Sequence, residues 1–320
     1  MLIALFRSSY IALVVSMGVA HCTWLPAQEL PDSKTTKTEQ LFTVPSYCEG
    51  VVFDRLGRGY VSWGKTITQF TIDGKHSMWA ETGAPNGHKI LADGTHLVCD
   101  ASQHAVLHLA EDGKQLKAAS TQCDGLPLRG PNDLTLDTPN GGFFFSDPGG
   151  SDLESRIGTI HYVDRAGKTS LLDKGLAFPN GIVLTPDGKK LYLAESQTNQ
   201  VHVYEVTGPG QLGPRKLFAD LPKHPSGDHK RNQPDGMCLD AAGNLYVAHY
   251  GMKQVQVLNP QGKLIRQYDG GNETTSNVAF GGPSHTTLYV TGGLGKEAGE
   301  GGIFKIELKA PGLKILPAAN

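Results

Sequence analysis

Residues 180–194 read NGIVLTPDGKKLYLA. An apolar run, Ile182-Val183-Leu184, passes through Pro186-Asp187-Gly188 into a second, Leu191-Tyr192-Leu193-Ala194. Asp-Gly between β-branched and aromatic runs is a hairpin signal, so the stretch is two antiparallel strands. Asn180 opens the first of them. The second half of the unit, apolar residues closing on a small one, recurs at Tyr60-Val61-Ser62, Leu97-Val98-Cys99, Phe144-Phe145-Ser146, Tyr246-Val247-Ala248 and Tyr289-Val290-Thr291. Copies lie roughly 37 to 54 residues apart, the spacing of propeller blades.

Each copy follows a strand-like run (Val51-Val52-Phe53 ahead of the first, Met237-Cys238-Leu239 ahead of the fifth) and precedes an alternating one, such as 201–206 or 303–308. A weaker fourth run comes next, for example 77–80 or 216–219. Four strands repeated six times give an all-β fold, a six-bladed β-propeller of four-stranded antiparallel blades over residues 39–320. Residues 41–44 and 313–316 both qualify to complete the last blade. The N-terminal run is expected there, because it would lock the first and last blades together.

Ahead of the propeller, Arg7 and the apolar run 10–20 form a signal-peptide pattern, short for a membrane span, with an uncleaved N-terminal anchor as the alternative. Residues 1–27 are read as signal and cleavage region, with cleavage after Ala20 or Ala27, and 28–38 as a polar linker. His21 ahead of Cys22 is a poor fit to a lipoprotein site. The expected location is periplasmic or secreted, with no membrane attachment once the signal is removed. Lys+Arg 29 against Asp+Glu 31 gives no electrostatic case for nucleic acid, and the oligomeric state is left open. Cys48, Cys99, Cys123 and Cys238 have no metal-type spacing, and buried thiols are expected rather than a disulfide framework.

The residue that opens each first strand is Glu49, Asn86, Asn132, Asn180, Asp235 or Asn277, each 12 or 13 positions before the centre of its second strand. Equivalent positions on innermost strands form a ring at the top of the channel. The long connections 147–158, 220–234 and 292–302 fall on the same face. Asn-Gly and Asp-Gly are also common turn dipeptides, so any single position has a purely structural reading. Six oxygen-bearing side chains in register, two of them carboxylates, suit a hard divalent cation. The ring lacks the imidazole and thiolate that zinc favours. Calcium is the expected ion, with Mg2+, Mn2+ or Zn2+ as substitutes in assays.

Several segments resemble the gluconolactonase family that includes senescence marker protein (regucalcin) and luciferin-regenerating enzyme, its bacterial gluconolactonase-like branch being nearer. They are Glu49-Gly50, Pro131-Asn132-Asp133-Leu134 with Phe145-Ser146-Asp147-Pro148, Phe178-Pro179-Asn180-Gly181-Ile182, Pro234-Asp235-Gly236-Met237 and Asn277-Val278-Ala279-Phe280-Gly281-Gly282. The resemblance implies that Glu49, Asn180 and Asp235 are the cation's protein ligands, with Asn132 facing the substrate or completing the site. Family members often carry Arg two positions before that Asn; here the position is Gly130, with Arg129 one residue further back.

A lactone carbonyl needs an electrophile, and the attacking water needs a base. A cation supplies the first. Asp235, able to assist the water with its second oxygen, is the expected catalytic residue. Asn132 and Asn86 are expected to hold ring oxygens or hydroxyls of the substrate. Asp147, with Glu195 and His249, ends a second strand on the same face and is a further candidate for hydroxyl recognition. A histidine base, His88, His104 or His229, competes with Asp235. No Gly-x-Ser-x-Gly elbow is present. The expectation is an exported hydrolase of a sugar-acid or other small lactone or ester. Alternatives are a propeller esterase or phosphotriesterase, or a non-catalytic propeller binding protein or carbohydrate on its top face.

Overall fold

A computed structural model describes residues 29–295 and 299–313. The signal-peptide reading of 1–27 lies outside the described residues, as does 314–316 of the alternative closing strand. Six antiparallel blades of four strands follow one another along the chain, the fourth carrying a short extra strand, Gln211–Leu212, beside its third strand. Their innermost strands are Cys48–Phe53, Pro85–Ile90, Leu134–Asp137, Pro179–Leu184, Gln233–Leu239 and Thr274–Gly281. The sixth blade is completed by Thr38–Val44, which pairs antiparallel with Gly301–Glu307, as expected. Within the segment 28–38, expected to be a polar linker, Leu30 is buried in a cluster with Tyr246 and Tyr268, and the Tyr268 hydroxyl donates to the Pro31 carbonyl at 2.9 Å.

Second strands are apolar on both faces because each sheet is packed between two neighbours. Val61, Val98, Phe145, Leu193, Val247 and Val290 are fully buried. Two tyrosines in these layers keep a partner for the hydroxyl. Tyr60 and Tyr246 donate to Asp54 and Asp240, the same carboxylates that accept backbone N–H groups inside the hairpin turns. That arrangement satisfies a buried phenol and a turn together. One element was not legible in the repeat: a small hairpin, Gln122–Cys123 paired with Leu126–Pro127, inserted between blades two and three.

Innermost strands carry a bulge near their top ends, with register shifts between Cys48/Val51, Pro85/His88, Pro179/Ile182, Pro234/Met237 and Thr275/Asn277. Two residues there oppose one on the partner strand, which re-aims a side chain. The second bulge residue is glycine in four blades for reasons of space. A Cβ on Gly50 would lie 2.2 Å from the Asn86 carbonyl oxygen, and one on Gly181 2.2 Å from that of Asp235. The Asn-Gly and Asp-Gly dipeptides therefore mark close approach of neighbouring inner strands around the channel, not turns.

Candidate functional site

The bulges set the ring. Counted back from the paired residue at each second-strand centre, the equivalent positions are Glu49, Asn86, Asn132, Asn180, Asp235 and Ser276. Blade six departs from the sequence reading. Its first hairpin pairs Val278 with Val290, 12 apart, where blade one pairs Val51 with Val61, 10 apart, so the extra length shifts the register position to Ser276. Asn277 falls in the glycine position, where its Oδ1 accepts from the Val278 N–H at 2.9 Å. The small residue of the repeat stands opposite the bulge, and in blades three and six its hydroxyl fixes the next blade's ring carbonyl, whereas Ser62 Oγ of blade one has no partner. Ser146 donates to the Asn180 oxygen at 2.7 Å and Thr291 to that of Glu49 at 2.6 Å.

A cavity of about 300 Å³ lies at the top of the channel, and Glu49, Asn132, Asn180 and Asp235 line it together. Around them stand Tyr47, Phe178, Ser196, Gln233, Tyr250 and Thr274. Asn180 donates through Nδ2 to Ser196 Oγ at 3.2 Å and also hydrogen-bonds the Asp235 carboxylate. Tyr47 hydrogen-bonds the Glu49 carboxylate and packs edge-on to Tyr250 at 6.2 Å. Phe178 is held at φ 60, with its N–H bonded to Ser151 Oγ at 2.9 Å and its carbonyl to the Ser196 N–H at 3.0 Å. A bulky residue at positive φ persists only where surroundings over-determine it, and here the 147–158 loop does so. That loop and Gln233, at the end of 220–234, share the face of Glu49.

Burial and mutual repulsion dominate the electrostatics. Burial, with Asp133 beside it, pushes the Glu49 carboxyl up to about 8 despite the Tyr47 hydrogen bond. Asp235 is raised well above the usual carboxylate range by burial, then by Glu49 and Asp133. Asp133, a third channel carboxylate, is raised by burial and opposed by Lys89, whose Nζ lies 3.9 Å away. Asp133, outside the cavity lining, thus adds its charge to the repulsion between Glu49 and Asp235, which a cation bound between those two would relieve.

The structure does not bring Asn86, Asn277 or Asp147 into this cavity. Asp147 is corrected from substrate contact to scaffold, since its oxygens accept from the Arg129 and Gly130 N–H groups at 2.9 and 2.7 Å. Asp100 and Glu195 do the same for Gly83, Ala84 and Ala177, so an acid closing the second strand braces the entry to blades two, three and four. His249 is buried between Asn199 and Gln256. The histidine alternatives also lie elsewhere. His88 pairs with His96 at 2.7 Å beside Trp79, His104 bonds the Arg129 carbonyl, and His229 sits in an exposed 3-10 turn. Sequence reasoning missed Asp133, because it occupies the place that glycine holds in four other blades. It also missed the aromatic walls Tyr47, Phe178 and Tyr250, which no periodicity marks.

Among the described residues no group of three or more His, Cys, Asp or Glu side chains is placed to hold a metal. The candidate donor set is two carboxylates, Glu49 and Asp235, with the amide oxygens of Asn180 and Asn132. All-oxygen donors of this kind fit a hard cation that takes carbonyl and water oxygens beside carboxylates.

A family model described as SMP-30/Gluconolactonase/LRE-like region matches residues 49–293. The chain is 29% identical to a gluconolactonase of Zymomonas mobilis over 217 residues, 64% of this chain and 60% of that protein, so it spans about three-fifths of that relative. It is 25% identical to the diisopropyl-fluorophosphatase of Loligo vulgaris over 315 residues, 89% of this chain and 96% of that one. Among solved structures, a calcium-binding protein, regucalcin, from Agrobacterium tumefaciens superposes with a TM-score of 0.71 at 20% identity, covering 88% of this chain and 95% of that one.

Proposed function

The chain belongs to the SMP-30/gluconolactonase/LRE-like family, and from that premise we propose that it is an exported, cation-dependent hydrolase that opens a small lactone. The observation that carries the reading is the gathering of Glu49, Asn132, Asn180 and Asp235 around one cavity at the channel mouth. Glu49, Asn180 Oδ1 and Asp235 would hold the cation, with calcium favoured by the all-oxygen set and by the regucalcin likeness. When bound, it supplies Lewis-acid polarisation of the ester carbonyl.

The chain's own residues do the rest. Asp235, steadied by the Asn180 amide, takes a proton from the attacking water and returns it to the leaving alkoxide oxygen. Asn132 offers its amide to the substrate. Tyr47, Phe178 and Tyr250 wall the cavity with aromatic surface and exclude competing water. The diisopropyl-fluorophosphatase match favours a second reading, in which the same groups hydrolyse a phosphoester. Export is proposed from residues 1–27; N-terminal sequencing of the exported protein should find a start between His21 and Gln28.

Lactone hydrolysis by Asp235→Asn, measured at calcium concentrations where calorimetry shows full occupancy, tests the assignment. The rate should fall at least ~100-fold, the range a general base contributes, while His229→Ala stays near wild type. An active Asp235→Asn beside a dead His229→Ala would move the base to histidine.

A further inference from the structure

The inserted hairpin between blades two and three builds a second cavity. Its turn passes through Asp124 and Gly125 at φ 50 and 81, setting Leu126 and Pro127 over the outer edge of blade three. Leu126, Ile157 and Leu171 are 71%, 40% and 42% exposed, unusual for large apolar side chains, and all three border a cavity of about 430 Å³. It shares no residue with the channel cavity.

Charge in its wall is unbalanced. Arg129, Arg156 and Lys174 face two acids, Asp124 and Asp147, and both oxygens of Asp147 are already engaged by backbone N–H groups. Among the described residues Arg129 and Lys174 form no ion pair. Arg156 reaches Glu195 only at 3.7 Å, and His202 already holds that carboxylate at 2.7 Å. Arg129 is fixed in place. Its side chain crosses Gly149, where a Cβ would come within 2.4 Å of it, and its guanidinium donates to the Ile157 carbonyl at 2.7 Å. The cation that stands one residue off the family's usual place is therefore turned to this rim instead of the channel.

His161 adds a hydrogen-bonding group to the wall. It is 5% exposed and stacked on Phe145, with Nε2 bonded to Thr159 Oγ1 at 2.8 Å and Nδ1 without a partner. Burial and the neighbouring Arg129 hold it neutral, at a pKa of about 4. A buried polar atom left unpaired is costly unless something outside the chain meets it.

We propose that this rim cavity binds a small amphipathic monoanion, a carboxylate on an apolar chain. The carboxylate would lie toward Arg129 and Arg156, and the chain against Leu126, Ile157 and Leu171. Walls that are mostly apolar with a few convergent polar groups are the usual make-up of a small-molecule site of this size.

Titration calorimetry of the full chain with octanoate tests it, with octanol and inorganic phosphate as comparisons. Octanoate should bind at one site, at least tenfold tighter than either comparison compound. Leu171→Glu and Arg129→Gln, at exposed positions, should each weaken it at least fivefold without lowering the melting temperature, and Asp235→Asn should leave it unchanged. Absence of octanoate binding, or binding indifferent to both rim substitutions, would overturn the proposal. So would loss of binding in Asp235→Asn, which would place octanoate in the channel, or phosphate binding as tightly as octanoate.

Discussion

Replacing Glu49 with Gln removes one of the buried carboxylates that crowd the channel mouth, and its effect on stability should change with pH and with calcium. In metal-free protein the Glu49 carboxyl is raised from 4.5 to about 8 by burial and by Asp133. A carboxyl whose folded pKa lies above its unfolded value stabilises the fold fully below the unfolded value. That contribution is lost as pH rises through the folded pKa, so the window runs from about pH 4.5 to 8. At about 1.4 kcal/mol per pH unit, wild type loses on the order of 4 kcal/mol across it. Gln keeps an acceptor for Tyr47 and never ionises. At pH 8, with a chelator present, Glu49→Gln should therefore melt about 5–8 °C above wild type for a chain of this size, and the two should converge near pH 5. Saturating calcium should narrow or reverse the gap, because wild type gains about 2.7 kcal/mol at a hundredfold excess over Kd and the variant has lost a charged ligand. Scanning calorimetry at four pH values, with and without calcium, reads all of this. A metal-free variant that melts at or below wild type at pH 8, or a gap equal at pH 5 and 8, would refute the crowding argument.

Lys89→Met strips the buried Asp133 of its cation. It should cost metal-free protein about 3 kcal/mol while tightening calcium binding severalfold, since the site becomes more negative; an unchanged calcium Kd by calorimetry would count against a shared field. Leu30→Ala empties a site on blade five that Leu30 fills at 5% exposure. A loss of about 2–3 kcal/mol in urea unfolding is expected, and an unchanged midpoint would mean that Leu30 does not dock in solution.

The propeller was legible because its strands obey two local rules at once. Asp-Gly hairpins fix where strands meet, and a doubly buried second strand leaves an unmistakable apolar run closed by a small residue. Glu49, Asn132, Asn180 and Asp235 were legible for the same reason: a bulge one step beyond the hairpin's paired residues gives each a constant offset. The offset fails where hairpin length changes, and blade six, longer by one residue pair, turned Ser276 into Asn277 in the reading. Other misses have a different cause. Asp147 stands at the right height on the right face, yet its oxygens are committed to backbone amides two strands away in sequence terms, which only coordinates disclose. Asp133 is the converse case. Four blades put glycine at that bulge position because the next inner strand presses against it, and the Cβ of a fifth residue must go somewhere. Blade three instead places a carboxylate there, bonded to the Leu134 N–H at 2.8 Å and facing Lys89. An exception to a steric rule inside a repeat thus identifies a charge in the channel that residue type and spacing alone pass over, and that charge helps raise both Glu49 and Asp235.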